Sequence, residues 1–338
     1  MNCGRLTESV YERSVVKVMK TVSDKNRELY NSAGPGADRA VFPYICEKQG
    51  RLVSGQASAC GYEETVALFA FTAAVNNAAA AVCGAISHAY ANLTLTVPEK
   101  LREIKVRRII ERAAWEAERM QIPILSANVQ VLPCVEEPVA CCVVSALAEA
   151  GGFRGAGADE DIVMTKWIGM EGTAITANRH FDALCDRYPE DLVREACGFE
   201  RFLSVIPEAA TAKVSDVSAV QVVREGGIFG GLWALAAGSG VGLVADLRRI
   251  PVRQETIEVC EFFDINPYEL LAGGSLLMTT PNGGSLVEAL AEQGIAAAVI
   301  GKTTAGNDRI VRYEDEARFL EPARGDEIFK VERKRRLH

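Results

Sequence analysis

Residues 91–97 (ANLTLTV) alternate apolar and polar side chains, which predicts a half-buried strand. Directly after them, over 98–121, Leu101, Ile104, Val106, Ile109, Ile110 and Ala113 recur near helical spacing and predict an amphipathic helix. Upstream, 63–85 reads as a long helix, and 41–45 and 51–53 as short strands on either side of the turn Lys48-Gln49-Gly50. Residues 6–30 read as a helix with Thr7 or Ser9 near its start, followed by a Gly/Pro loop over 31–38. Residues 122–128 and 139–147 complete the strands of this half. Strand and helix alternate, with long helices on one side, as in an α+β layer.

The stretch 149–160 (EAGGFRGAGADE) is rich in Gly and Ala and carries little periodicity, so it marks a boundary. Two domains follow, 1–150 and 151–338; at 338 residues the chain is long enough for two cores. In the second half, 162–166 reads as a strand, with helices over 178–186, 189–197 and 201–211. A helix opening at Glu225-Gly226-Gly227 leads to a strand at 242–246 and a helix at 253–263. A strand at 275–280, a helix at 284–293 and a last strand at 297–303 finish the pattern.

Charge and composition narrow the classes. The formal net charge of −8 argues against nucleic acid as a partner, because phosphate binding needs a basic field. The one basic run, 333–336, reads as a solvated tail. The apolar run 66–90 is rich in alanine and broken by Asn76, Asn77 and His88, so it reads as a buried or interface helix rather than a membrane span. The start MNCGRLTESV lacks a signal-peptide pattern. The ten cysteines form no CxxC, and zinc spacing is absent. They read as small buried hydrophobes in a reducing cytoplasm.

Candidate chemistry lies in two glycine-punctuated segments, 161–173 (DIVMTKWIGMEGT) and 220–231 (VQVVREGGIFGG). Glycines let backbone N–H groups approach an anion, and a helix start adds a favourable dipole, so both suit phosphate. Lys166, Glu171, Gly172 and Thr173 read either as phosphate contacts or as a strand end with Thr173 capping the next helix. Glu225, Gly226 and Gly227 read either as an anion-binding helix start or as close helix–sheet packing; Glu225 repels phosphate unless a metal bridges them. Arg39 and Arg224 offer bidentate forks for an anion, or pair internally with Asp38 or Glu225. The loop 264–269 either brings Asp264 and Asn266 to substrate or is a turn set by Asn-Pro.

The runs TKWIGMEGTA, SVIPEAATAKVSDVSAVQVVREGGIFGGLWALA, RRIPVRQETIEVCEFFDINPYELLAGGSLLMTT and VIGKTTAGNDR closely resemble the AIR synthase superfamily. The branch is that of AIR-synthase-related proteins akin to the hydrogenase maturation factor HypE. The resemblance covers 160–332, and extends more weakly over the first half through GPGADRAV and LTLTVP. It implies a PurM-like two-domain fold: an N-terminal ferredoxin-like αβ domain pairing into an intersubunit β-barrel, and a C-terminal α/β sandwich. It also implies ATP at the subunit interface, magnesium held by aspartates, and phosphorylation of a substrate oxygen.

Against that family pattern, Asp38 is kept, but Arg39 follows it where a small or acidic residue is usual. Val53-Ser54-Gly55-Gln56 lacks the family's acid, and Asn76-Asn77 stands for Asn-Asp. Residues 125–130 lose the family's histidine and glutamate. Only Glu225, Gly226 and Gly227 survive of the last motif, where Gln221, Val222 and Arg224 replace its other side chains. The terminal cysteine of the hydrogenase factor is replaced by Arg336-Leu337-His338. Each lost acid is a lost ligand for a hard cation. The expectation is a catalytically silent paralogue acting through oligomerisation or regulation, as a homodimer or as a heterodimer with a paralogue. Its cofactor would be ATP or another phosphate-bearing anion, with magnesium in doubt. The alternative is an ATP-dependent enzyme with rewired ligands that phosphorylates or dehydrates a small molecule.

Overall fold

The computed structural model describes residues 39–44, 50–61, 63–82, 87–149 and 153–331. Asp38, the predicted helix at 6–30 and the side chains of Arg39 and His88 lie outside that description. The chain divides into two compact units, one carrying the described residues up to 149 and the other those from 153 onward.

The first unit holds a five-stranded sheet. Its strands are β1 (Arg39–Tyr44), β2 (Gly50–Cys60), β3 (Ser87–Val97), β4 (Ile124–Val131) and β5 (Val139–Glu149), in the order β1-β2-β5-β3-β4. All neighbours are antiparallel except β3 and β4. Two helices, α1 (Val66–Val82) and α2 (Glu103–Met120), belong to this unit. Helix α1 is buried along nearly its whole length against β2 and β5. It lies so close to β2 that a Cβ on Gly55 would sit 2.3 Å from the carbonyl oxygen of Ala74. Alanines in the helix and glycine in the strand permit that approach. The alternation read in 91–97 is real: Ala91, Leu93, Leu95 and Val97 are buried, while Asn92 and Thr94 are exposed. The exposed side continues through Val143 and Cys141 on β5 and Gln56 and Ser58 on β2, a sheet face that no described element covers.

The second unit is built on a seven-stranded sheet. Its strands are β6 (Asp161–Thr165), β7 (Ala219–Val223), β8 (Gly242–Asp246), β9 (Ser275–Thr280), β10 (Ala297–Thr304), β11 (Arg309–Tyr313) and β12 (Glu316–Phe319). The order is β12-β11-β8-β10-β6-β9-β7, antiparallel except for β11 beside β8. Every residue of β9 is buried, and β12 is exposed throughout. Packing is therefore two-sided at one end of the sheet and absent at the other edge. The helices are α3 (Met170–Arg179), α4 (Phe181–Cys185), α5 (Glu190–Cys197), α6 (Ile206–Val214), α7 (Gly227–Ser239), α8 (Gln254–Phe263) and α9 (Gly283–Glu292). Phe229, Ile228 and Leu232 of α7 join Ile162, Met164, Leu243 and Leu277 in the main core.

Three expectations are corrected. The helix read at 178–186 is instead two, α3 from Met170 to Arg179, with Gly169 at φ +68° as its N-cap, and α4 from Phe181 to Cys185. The strand at 297–303 is not the last, because the hairpin β11–β12 follows it. The cysteines are not uniformly buried: Cys142 and Cys260 are, but Cys60, Cys134 and Cys141 are exposed. None of the described cysteines is in a disulfide. No helix among the described residues is long and apolar enough to cross a membrane.

Candidate functional site

Two helix starts converge on the segment Leu270–Gly274 in the second unit. The N–H of Gly172, in the first turn of α3, donates to the carbonyl of Leu271 at 2.8 Å. The N–H of Ala272 donates to the carbonyl of Arg224, just before α7, at 3.1 Å. Side chains have no room at this crossing. A Cβ on Gly172 would lie 2.5 Å from Leu270 Cγ, and one on Gly273 would lie 2.1 Å from Glu171 Oε2. Gly172 and Gly273 let α3 lie directly against the segment leading into β9.

Glu171 and Arg224 face each other across this crossing. Arg224 Nε donates to Glu171 Oε2 at 3.1 Å, and its terminal nitrogen donates to Oε1 at 2.9 Å. This two-point fork lies within a buried setting, with side-chain exposures of 8% and 3%. A second terminal nitrogen of Arg224 donates to Glu225 Oε1 at 2.5 Å. Burial pushes the Glu171 carboxyl up, opposed by Arg224 and by the N–H of Gly273. Arg224 is therefore an internal counter-ion to two carboxylates, the second of the two readings open for it. Thr173 does not cap α3. It lies inside the helix, with its Oγ1 3.1 Å from the buried Thr256 Oγ1.

The start of α7 does meet an anion, and the anion comes from the chain itself. Gly226, the N-cap at φ +74°, donates its N–H to Asp326 Oδ2 at 2.8 Å. Asp326 Oδ1 accepts from Leu271 and Ile328, both at 3.0 Å. Burial pushes the Asp326 carboxyl up to about 7, against the pull of those three N–H groups. The neighbouring Ala323 Cβ occupies the space that a side chain at Gly226 would need. Sequence reasoning missed Asp326 because it lies a hundred residues from its partner and carries no motif.

Lys166 spends its ammonium on the chain at 202–208. Its backbone takes φ +54°, and its ammonium donates to the carbonyls of Phe202 (2.8 Å) and Ser204 (2.6 Å) and pairs with Glu208 (2.6 Å). All three protons of the ammonium have partners. Burial lowers the pKa of Lys166 and raises that of Glu208. In the 264–269 loop, Asn266 Oδ1 accepts from the N–H of Tyr268 at 3.1 Å, closing a turn.

Within the first unit, two altered motif positions meet. Asn77 Nδ2 donates to the carbonyl of Gln56 at 2.9 Å, and Asn76 is buried. Residues 125–130 form part of β4, an edge strand exposed along nearly its full length.

Among the described residues, no group of three or more His, Cys, Asp or Glu is placed to hold a metal ion. At this junction the carboxylates are engaged within the chain, Glu171 by a guanidinium and Asp326 by backbone N–H groups.

Residues 157–314 match the family model described as AIR synthase related protein, C-terminal domain. Carbamoyl dehydratase HypE of Azotobacter vinelandii is 32% identical over 133 residues, which is 36% of this chain and 39% of that relative. The aligned region thus spans well under half of that curated protein's length. Among solved structures, AaThiL complexed with AMPPCP and TMP superposes with a TM-score of 0.68 at 17% identity, covering 92% of this chain and 96% of that one. E. coli HypE, a hydrogenase maturation protein, gives a TM-score of 0.68 at 16% identity over 83% of this chain and 88% of that one. Likeness at that identity is likeness of fold.

Proposed function

Because residues 157–314 make this chain a member of the AIR synthase-related, HypE-like family, we propose that it is a catalytically silent relative acting through assembly or regulation. The observation that carries the reading is the closure of the α3–α7 junction upon itself. Arg224 is spent on Glu171 and Glu225, and the N–H at the start of α7 is spent on Asp326. A phosphate-transfer site needs donors held ready for developing charge. Here the donors are already satisfied by carboxylates, so a phosphate would have to displace a buried anion to reach them.

The ligand class carried over from the fold is ATP or another phosphate-bearing anion, bound without turnover; the AaThiL structure holds AMPPCP. The assembly we propose is a homodimer through the uncovered face of the five-stranded sheet. Strand β4 adds Ser126 and Asn128 to that face, in register with Asn92 and Thr94, and its exposed edge invites further pairing. Pairing with a paralogue is the other outcome, and native co-purification separates the two.

The test is calorimetry with ATP and ADP, with and without magnesium, followed by a turnover assay on the same sample. The reading expects no hydrolysis and no magnesium-dependent gain in affinity. Hydrolysis of ATP in stoichiometric step with product formation would sink it. That result would establish an ATP-dependent enzyme with rewired ligands, a reading favoured by the fold likeness over 92% of the chain to a protein solved with AMPPCP and TMP.

A further inference from the structure

The second unit contains a cleft of about 750 Å³ beside α7, walled by β12 and the chain that follows it. That volume falls within the range of about 300–1,000 Å³ usual for small-molecule sites. Its apolar body includes the Phe229 ring, which stacks on Tyr268 (centroids 5.4 Å apart, planes at 10°) and is thereby fixed in orientation. Phe319, 70% exposed, also lines the cleft.

The charges lining this cleft are mostly satisfied by one another. Arg324 pairs with Glu321 at 2.6 Å, and Lys330 with Glu327 at 2.6 Å. Asp326 is held by three backbone N–H groups, and Glu327 also accepts from the N–H of Asn266 at 3.1 Å. Two side chains remain. Among the described residues, no ion pair or hydrogen bond holds the carboxylate of Glu269 or the guanidinium of Arg318. Arg318 lies over the Phe229 ring, 5.6 Å from its centroid. Glu269 and Arg318 thus line one cleft, within reach of each other's charge but with no direct partner.

We propose that this cleft binds a zwitterionic amino acid with a large apolar side chain. The carboxylate of the ligand pairs with Arg318, whose planar fork suits two oxygens. Its ammonium pairs with Glu269, and its side chain lies along Phe229 and Phe319. Burial and the nearby Glu327 hold the Glu269 carboxyl above its ordinary range although Lys330 and Arg318 pull it down, so an ammonium placed against it adds a direct partner. The arrangement discriminates against a simple acid or a simple amine, because either one leaves a charged wall residue without its complement.

Calorimetry on the full chain with three probes tests this: L-phenylalanine, 2-phenylethylamine and 3-phenylpropionate. Phenylalanine should bind, and each analogue should bind about tenfold more weakly or worse. Glu269→Gln should weaken phenylalanine while sparing 3-phenylpropionate, and Arg318→Gln should weaken phenylalanine while sparing 2-phenylethylamine. Circular dichroism melting, unchanged in both variants, keeps a folding defect out of the comparison. Absence of phenylalanine binding at about 10 mM would overturn the proposal. Equal binding of all three probes, or indifference to both substitutions, would overturn it as well, reducing the cleft to a non-specific apolar recess.

Discussion

Arg224 grips Glu171 with two hydrogen bonds, of 3.1 and 2.9 Å, across the interior of the second unit, 53 residues apart in the chain. Neither group has water to fall back on. Taking two charges out of water is costly, and the pair recovers that cost only while both members stay.

Arg224→Met should therefore be strongly destabilising, by about 3–5 kcal/mol, since it strands the Glu171 carboxylate in an apolar site. The double variant Glu171→Met/Arg224→Met should recover most of that loss. Urea unfolding of wild type, both single variants and the double variant checks it. A single variant as stable as wild type would mean that the fork contributes nothing.

Asp326 gives the second unit a pH signature. Its folded pKa is raised from the ordinary 3.8 to about 7. The folded state then holds a proton that the unfolded chain has released, so stability falls as pH rises from about 4 to 7 and flattens above. Asp326→Asn removes the titration. Its urea midpoint should change less with pH across that window than the wild-type midpoint does, after allowance for other groups through the difference curve. A difference curve flat in pH would count against the raised pKa.

Much of this architecture is legible along the chain, and the exceptions have physical reasons. Residues 91–97 and 275–280 announce themselves through alternation or a compact apolar run. The hairpin β11–β12 does not, because it lies at a sheet edge where packing imposes little pattern; β12 is exposed at all four positions. Helix α3 hides because Gly169 and Gly172 mimic a turn, whereas one caps the helix and the other makes room for Leu270. In the candidate site, Glu171, Glu225 and Gly226 are readable as a group by their glycine context. Their partners are not. Arg224 could be paired with its neighbour Glu225 but not with Glu171, 53 residues away, and Asp326 stands in a stretch with no periodicity.

Two glycines of one region should respond oppositely to alanine. Gly227 holds φ +61°, and a Cβ there would fall 2.3 Å from the carbonyl oxygen of Tyr268, so Gly227→Ala should cost well over about 1 kcal/mol. Gly238, inside α7, has nothing within 4 Å of the added carbon. Gly238→Ala should stabilise by about 0.5–1 kcal/mol through the lower entropy of the unfolded chain. Thermal melts of the two variants give the comparison directly.

Val143 sits on the uncovered sheet face, between Gln56 on β2 and Asn92 on β3. If that face joins two copies, Val143→Arg places like charges at the seam and should shift the protein to monomer. Sedimentation velocity on both proteins reads the change. An unaltered distribution of species would assign assembly to another surface.

Strand β10 occupies the middle of the seven-stranded sheet, between β8 and β6, yet it is made after both. During synthesis the nascent chain therefore carries two separate ribbons, β11's future neighbour β8 on one side and β6-β9-β7 on the other. They become one surface only when residues 297–304 leave the ribosome. The second unit cannot mature domain-first from its amino end. It must wait in an open, chaperone-visible form until β10 has emerged, which makes premature stops before that strand a hazard for aggregation rather than a simple loss of length.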